Sequence, residues 1–173
     1  PFTPILTFPV SAGRTVTLNS FSKNYLMTGW RVGAVIAEPE LISTMQRING
    51  ALIYTAPSIS QRAAIQALHD RKSIRERYIK EYRERVLYAA ERIRSIPYFE
   101  ICEPRGTFYL FPSISRTGLC SAQFCAELLN KAHILAADGA AFGETGEGHI
   151  RIACTVGTDK LREAFNRMEK LKF

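Results

Sequence analysis

The stretch "SFSKNYLMTGWRVG", Ser20 to Gly33, sets one lysine between small hydroxyl residues and a lone arginine, in a segment otherwise largely apolar or aromatic. Its flanks place it in the fold. "RTVTLNS" (Arg14 to Ser20) alternates polar and apolar residues as a strand does, with Val16 and Leu18 on one face. "RVGAVIA" (Arg31 to Ala37) is nearly continuous in apolar residues, as expected of a strand covered on both faces in an α/β sheet. Lys23 thus falls in the connection between two strands, and loops at strand ends are where α/β proteins tend to hold their chemistry.

The residue types suit a phosphate-bearing aldehyde. A partly desolvated amine near another cation has its protonated form disfavoured, which makes Lys23 nucleophilic toward a carbonyl carbon. The hydroxyls of Ser20 and Ser22 and the guanidinium of Arg31 could hold a phosphate dianion. An amine beside such a cradle suits pyridoxal phosphate. Nucleotide phosphates fit less well, because there is no Walker A lysine pattern and "TGWRVG" lacks the Gly-x-Gly-x-x-Gly turn. By residue type alone, a solvated loop lysine and an arginine paired with a surface carboxylate are the commoner arrangement.

The chain has 173 residues, 46% of them hydrophobic, enough for a sizeable core in one domain or in one domain and part of another. It opens with Pro1 and shows no charged segment followed by an apolar one, so we expect a piece of a longer polypeptide without a visible targeting signal. Apolar runs such as "VGAVIA" fall far short of the ~20 residues that span a bilayer, so no membrane partner is expected. Cys102, Cys120, Cys125 and Cys154 form no C-x-x-C pair, and His69, His133 and His149 do not cluster with them. That points away from a metal site and toward free thiols in a reducing, cytoplasmic setting. Formal charge is +7, but between Arg71 and Arg94 nine Lys/Arg stand against four Glu. Most of the excess therefore lies on one helix, whose charged face reads as solvated, and no nucleic-acid partner is expected.

Helices follow the lysine loop. Pro39 suits the first turn of a helix with Leu41, Met45 and Ile48 on one face. "SISQ" (Ser58 to Gln61) reads as a capping box opening "RAAIQALHD", with Pro57 breaking any continuous helix from Glu40 onward. A long helix from about Ser73 to Ile96 has Ile74, Tyr78, Tyr82, Val86, Ala89 and Ile93 at helical spacing, with Glu76–Lys80 and Glu81–Arg85 at supporting i, i+4 spacing. After Pro97, "FEICEPRGTFYLFPSI" reads as two strands joined through Pro104 to Gly106. "SAQFCAELLNKAHI" reads as a helix with Phe124, Leu128 and Leu129 inward, "HIRIACT" as a strand, and "TDKLREAFNRMEKLK" as a helix with Leu161, Phe165, Met168 and Leu171 on one face. A boundary between a large α/β domain and a small α+β domain falls along the long helix.

The opening stretch also resembles the cofactor-lysine motif of the class I/II pyridoxal-phosphate-dependent aminotransferases. "TAPSISQRAAIQAL", "PRGTFYLFP", "AAFGETGEGHIRIAC" and the closing helix occur in the order that family uses, so the resemblance covers nearly the whole chain. Asp138-Gly139 stands where relatives often have Pro-Gly. The resemblance implies an α/β chain: the end of a fold type I large domain (1–70), a connecting helix (71–96) and the small carboxy-terminal α+β domain (97–173).

By the same resemblance, the intact enzyme transfers an amino group between an amino acid and a 2-oxo acid. Lys23 is its catalytic residue and forms a Schiff base with pyridoxal 5'-phosphate, while Ser20, Arg31 and Ser22 bind the phosphate. Arg151, in "HIRIAC", matches the arginine that grips the substrate α-carboxylate, through charge-assisted bonds of ~1.5–3 kcal/mol each. Ile150 and Ile152 would face the opposite side of its strand. Phe108 and Tyr109 resemble the small-domain hairpin near the substrate, although an aromatic pair on a strand is more often core than contact. The family's acidic partner of the pyridine nitrogen, and the tyrosine and asparagine beside the ring, lie upstream of the lysine motif. The chain alone is therefore expected to be inactive, and the intact protein to be a homodimer. The alternatives are a carbon–sulfur lyase of the same fold and a non-catalytic regulator domain that binds the cofactor.

Overall fold

A computed structural model of the chain describes residues 3–173. They form two compact units, one ending at Arg77 and the other spanning Tyr78–Phe173.

In the first unit, strands β1 (Thr17–Ser20) and β2 (Gly33–Ile36) pair antiparallel, with Thr17 opposite Ile36 and Ser20 opposite Gly33. Gly33 suits that pairing, because a Cβ there would stand in tight contact, 3.0 Å from the Asn19 carbonyl oxygen. The single-turn helix α1 (Phe21–Asn24) follows β1 directly, and helices α2 (Pro39–Leu52) and α3 (Ser58–His69) follow β2. Phe21, Met27 and Val32 are buried against Ala64 and Ala67 of α3. Packing on α3 thus fixes both ends of the lysine loop.

Three expectations are corrected in this unit. Both strands are uncovered, with Leu18 77% and Ile36 58% exposed, because only these two strands make up the sheet among the described residues. Ser58 is the first helical residue of α3 and Pro57 its cap, so no capping box forms; Gln61 instead donates back to the Ala56 carbonyl at 2.7 Å. Leu41 and Ile48 are exposed, and of the expected α2 face Met45 alone is half-buried.

Helix α4 (Arg71–Ser95) runs from the first unit into the second. Its apolar positions behave as spaced: Val86, Ala89 and Ile93 are buried, and Glu81 pairs with Arg85 on the polar side. The second unit adds β3 (Tyr109–Leu110), α5 (Ser121–Ala132), β4 (Ala137–Asp138), β5 (Ile150–Ala153) and α6 (Thr158–Met168). Its sheet has the order β3-β5-β4, antiparallel throughout. Phe124 and Leu128 of α5 and Leu161, Phe165 and Met168 of α6 close over the sheet in one core.

Two corrections apply here. Leu129 is 48% exposed, its neighbour Leu128 taking the inward position. The two strands expected between Phe99 and Ile114 shorten to β3 and single bridges from Ser113 to Glu100 and to His149. Among the described residues, no helix is long and apolar enough to cross a membrane.

Candidate functional site

Ser20 ends β1 in an extended conformation, and its Oγ accepts a hydrogen bond from the Ser22 N–H at 3.2 Å. Both serines are thereby tied to the start of α1. The Phe21 N–H donates to the Val32 carbonyl at 3.2 Å, joining this turn to the residue after Arg31. Arg31 itself adopts the left-handed conformation (φ 50°, ψ 47°) at the end of a 3₁₀ turn, Thr28–Trp30. Such a conformation costs of order 1–3 kcal/mol in a non-glycine residue and persists only where the surroundings impose it. Here it folds the guanidinium back, Nη1 donating to the Thr28 carbonyl at 2.8 Å.

The result is an open cavity of about 320 Å³ whose lining includes Ser20, Ser22, Arg31 and Gly33. No carboxylate lines it. Two hydroxyls and a guanidinium around one cavity make a donor set for a dianion, so a phosphate monoester such as pyridoxal 5'-phosphate fits the residues present. Lys23 lies on α1 in the same loop but is not part of that lining, and it is exposed rather than partly desolvated as expected. The burial the sequence promised is confined to Phe21, Met27 and Val32.

In the second unit, Arg151 sits on β5, opposite Ala137 of β4. Ile150 and Ile152 point into the core, 0% and 8% exposed, which leaves Arg151 half-buried on the opposite face as the alternation requires. Its guanidinium carbon lies 4.6 Å from the centres of two rings, Tyr109 of β3 and Phe142. Phe142 ends the 3₁₀ turn Gly139–Phe142 that follows β4.

The profile of the family described as "Aminotransferase class I and II" matches residues 4–168. The chain belongs to this family. An aspartate aminotransferase of Pyrococcus horikoshii is 42% identical over 158 residues, which are 90% of this chain and 40% of that protein. The aromatic-amino-acid aminotransferase 2 of Thermococcus litoralis is 36% identical over 160 residues, 91% of this chain and 41% of that protein. Among solved structures, an aromatic aminotransferase from Pyrococcus horikoshii matches with a TM-score of 0.91 at 36% identity, over 96% of this chain and 45% of that one. The aspartate aminotransferase of Rhizobium meliloti matches with a TM-score of 0.86 at 30% identity, over 96% and 44%. This aminotransferase chain thus spans about two fifths of the length of these curated relatives and has the fold of the corresponding part of fold type I aminotransferases.

Residue pattern alone gives no site role to two residues that meet Arg151, although resemblance puts one of them, Tyr109, in the hairpin near the substrate. Tyr109 follows Phe108 and reads with it as core, but only Phe108 packs against the core, while Tyr109 meets Arg151. Phe142 lies in "AAFGETGEG", where no pattern assigns it a role. The available signal is parity: in β3, Leu110 is buried and Tyr109, one residue away, lies on the other face with Arg151. Cys154, the residue after β5, carries a nucleophilic group but is fully buried. Burial pushes its thiol up to about 11, against a smaller opposing effect of Arg85, so it is a packing residue.

Proposed function

We propose that the intact protein is a pyridoxal 5'-phosphate-dependent aminotransferase, moving an amino group between an amino acid and a 2-oxo acid, and that this chain is part of it. Residues 1–70 belong to its large cofactor-binding domain, 71–96 to the connecting helix and 97–173 to its small domain. The reading rests above all on the convergence of Ser20, Ser22 and Arg31 on one cavity free of carboxylates, in the loop that bears Lys23. It is further supported by the names of the relatives, which are aspartate and aromatic aminotransferases. Aspartate and aromatic amino acids are therefore the first donors to test.

Lys23 holds the cofactor covalently through its side-chain amine. Ser20 and Ser22 donate their hydroxyls to the phosphate, and Arg31 adds charge-assisted bonds from the donors that Thr28 does not use. When bound, the cofactor supplies an electron sink for negative charge at the substrate α-carbon. Once the substrate's amine has taken the place of the Lys23 nitrogen on the cofactor, the freed Lys23 amine would take up and return the proton at that carbon, a positioned transfer that contributes typically ~10²–10⁴-fold. Desolvation of Lys23 comes from the remainder of the large domain. Arg151 receives the α-carboxylate edge-on, as a planar guanidinium receives a carboxylate. The enzyme works as a homodimer in the cytoplasm; the exposed run Leu52, Ile53 and Tyr54, each more than 70% exposed, suits burial against further protein.

Borohydride reduction of the cofactor-loaded intact protein, followed by peptide mapping, tests the reading. The reduced cofactor is expected on the peptide containing Lys23, and a label elsewhere, or none, refutes it. Lys23→Ala in the same protein abolishes turnover; near-normal activity would remove Lys23 from the role. Nitrogen recovered in the product of a 2-oxo acid separates transamination from carbon–sulfur cleavage, which transfers none.

A further inference from the structure

We propose that Tyr109 and Phe142 form an aromatic clamp that fixes the Arg151 guanidinium for edge-on capture of a substrate carboxylate, making both of them positioning residues. The inference rests on the assignment of Arg151 to the α-carboxylate made above.

Arg151 is half-buried and lies against two rings at 4.6 Å each. Among the described residues no carboxylate pairs with it; the ion pairs of this unit engage other arginines and Lys131. An arginine with no acidic partner swings over a wide cone unless packing restrains it. Ring faces supply that restraint without consuming donors, because the cation is attracted to the π-face while its five N–H groups point outward in the guanidinium plane. What stays open is the donor edge, and a planar carboxylate matches it bidentately.

The second ring is delivered by a built loop. Phe142 is 53% exposed, so core packing does not explain it. Its loop is closed at the base by backbone against backbone: a Cβ on Gly139 would lie 2.2 Å from the Gly146 carbonyl oxygen, and one on Gly146 would lie 2.0 Å from that of Gly139. Asp138 accepts from the Ala140 N–H at 2.9 Å inside it. Phe111 meets Phe142 edge to face at 6.2 Å and itself stacks on His149 at 5.2 Å, so the Phe142 ring has a second aromatic neighbour besides its contact with Arg151. Tyr109 is placed by the sheet itself, opposite Ala153 and hence diagonal to Arg151.

The test uses the intact, cofactor-loaded enzyme with L-aspartate as donor, and propionate as an unreactive carboxylate probe titrated calorimetrically. Tyr109→Leu and Phe142→Leu should each raise the KM for aspartate and weaken propionate binding by about fivefold, with kcat much less affected. Tyr109→Phe and Phe142→Tyr keep the ring and should restore both values. Propylamine, which has no carboxylate, should bind the variants as it binds the parent. If Arg151→Lys weakens propionate while the leucine variants do not, the clamp is refuted and the Arg151 assignment stands. If Arg151→Lys leaves propionate and aspartate unaffected, the assignment fails and the clamp with it. Leucine variants that lose kcat and melting temperature with KM unchanged would mark the rings as structural only, which also overturns the proposal.

Discussion

A single methyl group decides whether the loop bearing Phe142 can close. Gly139 and Gly146 approach through their backbones, with the His149 carbonyl 2.3 Å from where a Gly139 Cβ would sit, so neither partner can yield as a side chain could. Gly139→Ala and Gly146→Ala should therefore each destabilise the fold by about 2 kcal/mol or more, on the scale of overpacked interiors. Gly50 is the contrast. It lies inside α2, where an added methyl would meet nothing within 4 Å, and its φ is unexceptional. Gly50→Ala should stabilise by roughly 0.5–1 kcal/mol, because glycine is a poor helix residue. Chemical denaturation of the three variants checks the pair of signs, and a neutral Gly139→Ala would contradict the closed loop. At this scale the two candidate clusters differ in how legible they are in the sequence. Lys23, Ser20, Ser22 and Arg31 stand in one continuous motif, whereas Tyr109, Phe142 and Arg151 converge from three separate segments, a meeting that only the sheet register and the loop closure bring about.

Helices are the legible elements, since a 3.6-residue period is local: the α6 face of Leu161, Phe165 and Met168 is buried as spaced. Strands of two residues have no such period, so β3 and β4 depend on β5 beside them, and Pro104 cannot donate to a ladder in the segment where a longer hairpin is expected. The start of α5 shows what the sequence conceals. Glu147, 26 residues along the chain, accepts from the Ser121 N–H at 2.7 Å, the Ser121 hydroxyl at 2.8 Å and the Gly148 N–H at 2.9 Å. These bonds, that from the Ser121 N–H foremost, hold its carboxyl below the usual carboxylate range. A depressed folded-state value means the ionised form stabilises the fold. Its contribution is complete above the unfolded value of about 4.3 and is lost as pH falls through the folded one. Glu147→Gln should accordingly melt at a lower temperature than the parent at neutral pH, with the gap narrowing as pH drops below that value. Thermal scans from pH 7 to pH 3 measure it, and a gap independent of pH would rule out the carboxylate as its source.

The two units differ in how much each buries. In the unit that holds Arg151, most of the large core side chains are fully or almost fully enclosed, among them Ile93, Phe124, Leu128, Ile150 and Phe165, each 0–1% exposed. Around Lys23 the main cluster buries three large apolar side chains, Phe21, Met27 and Val32, none below 6% exposed, while both strands remain open. With ~1.5–3 kcal/mol for each fully buried large side chain, the second unit holds most of this chain's hydrophobic stabilisation. Local opening follows such differences, since segments with few buried apolar contacts exchange their amide hydrogens first. In the 173-residue chain, amides of α5 and β5 should be the slowest to exchange, and those of Thr17–Ser20 and Gly33–Ile36 among the fastest outside the loops. Hydrogen exchange read by mass spectrometry resolves the two units. Equal protection of β1–β2 and β5 would mean that the lysine loop is held by more than the α3 contact, and that the first unit does not depend on further polypeptide for its order.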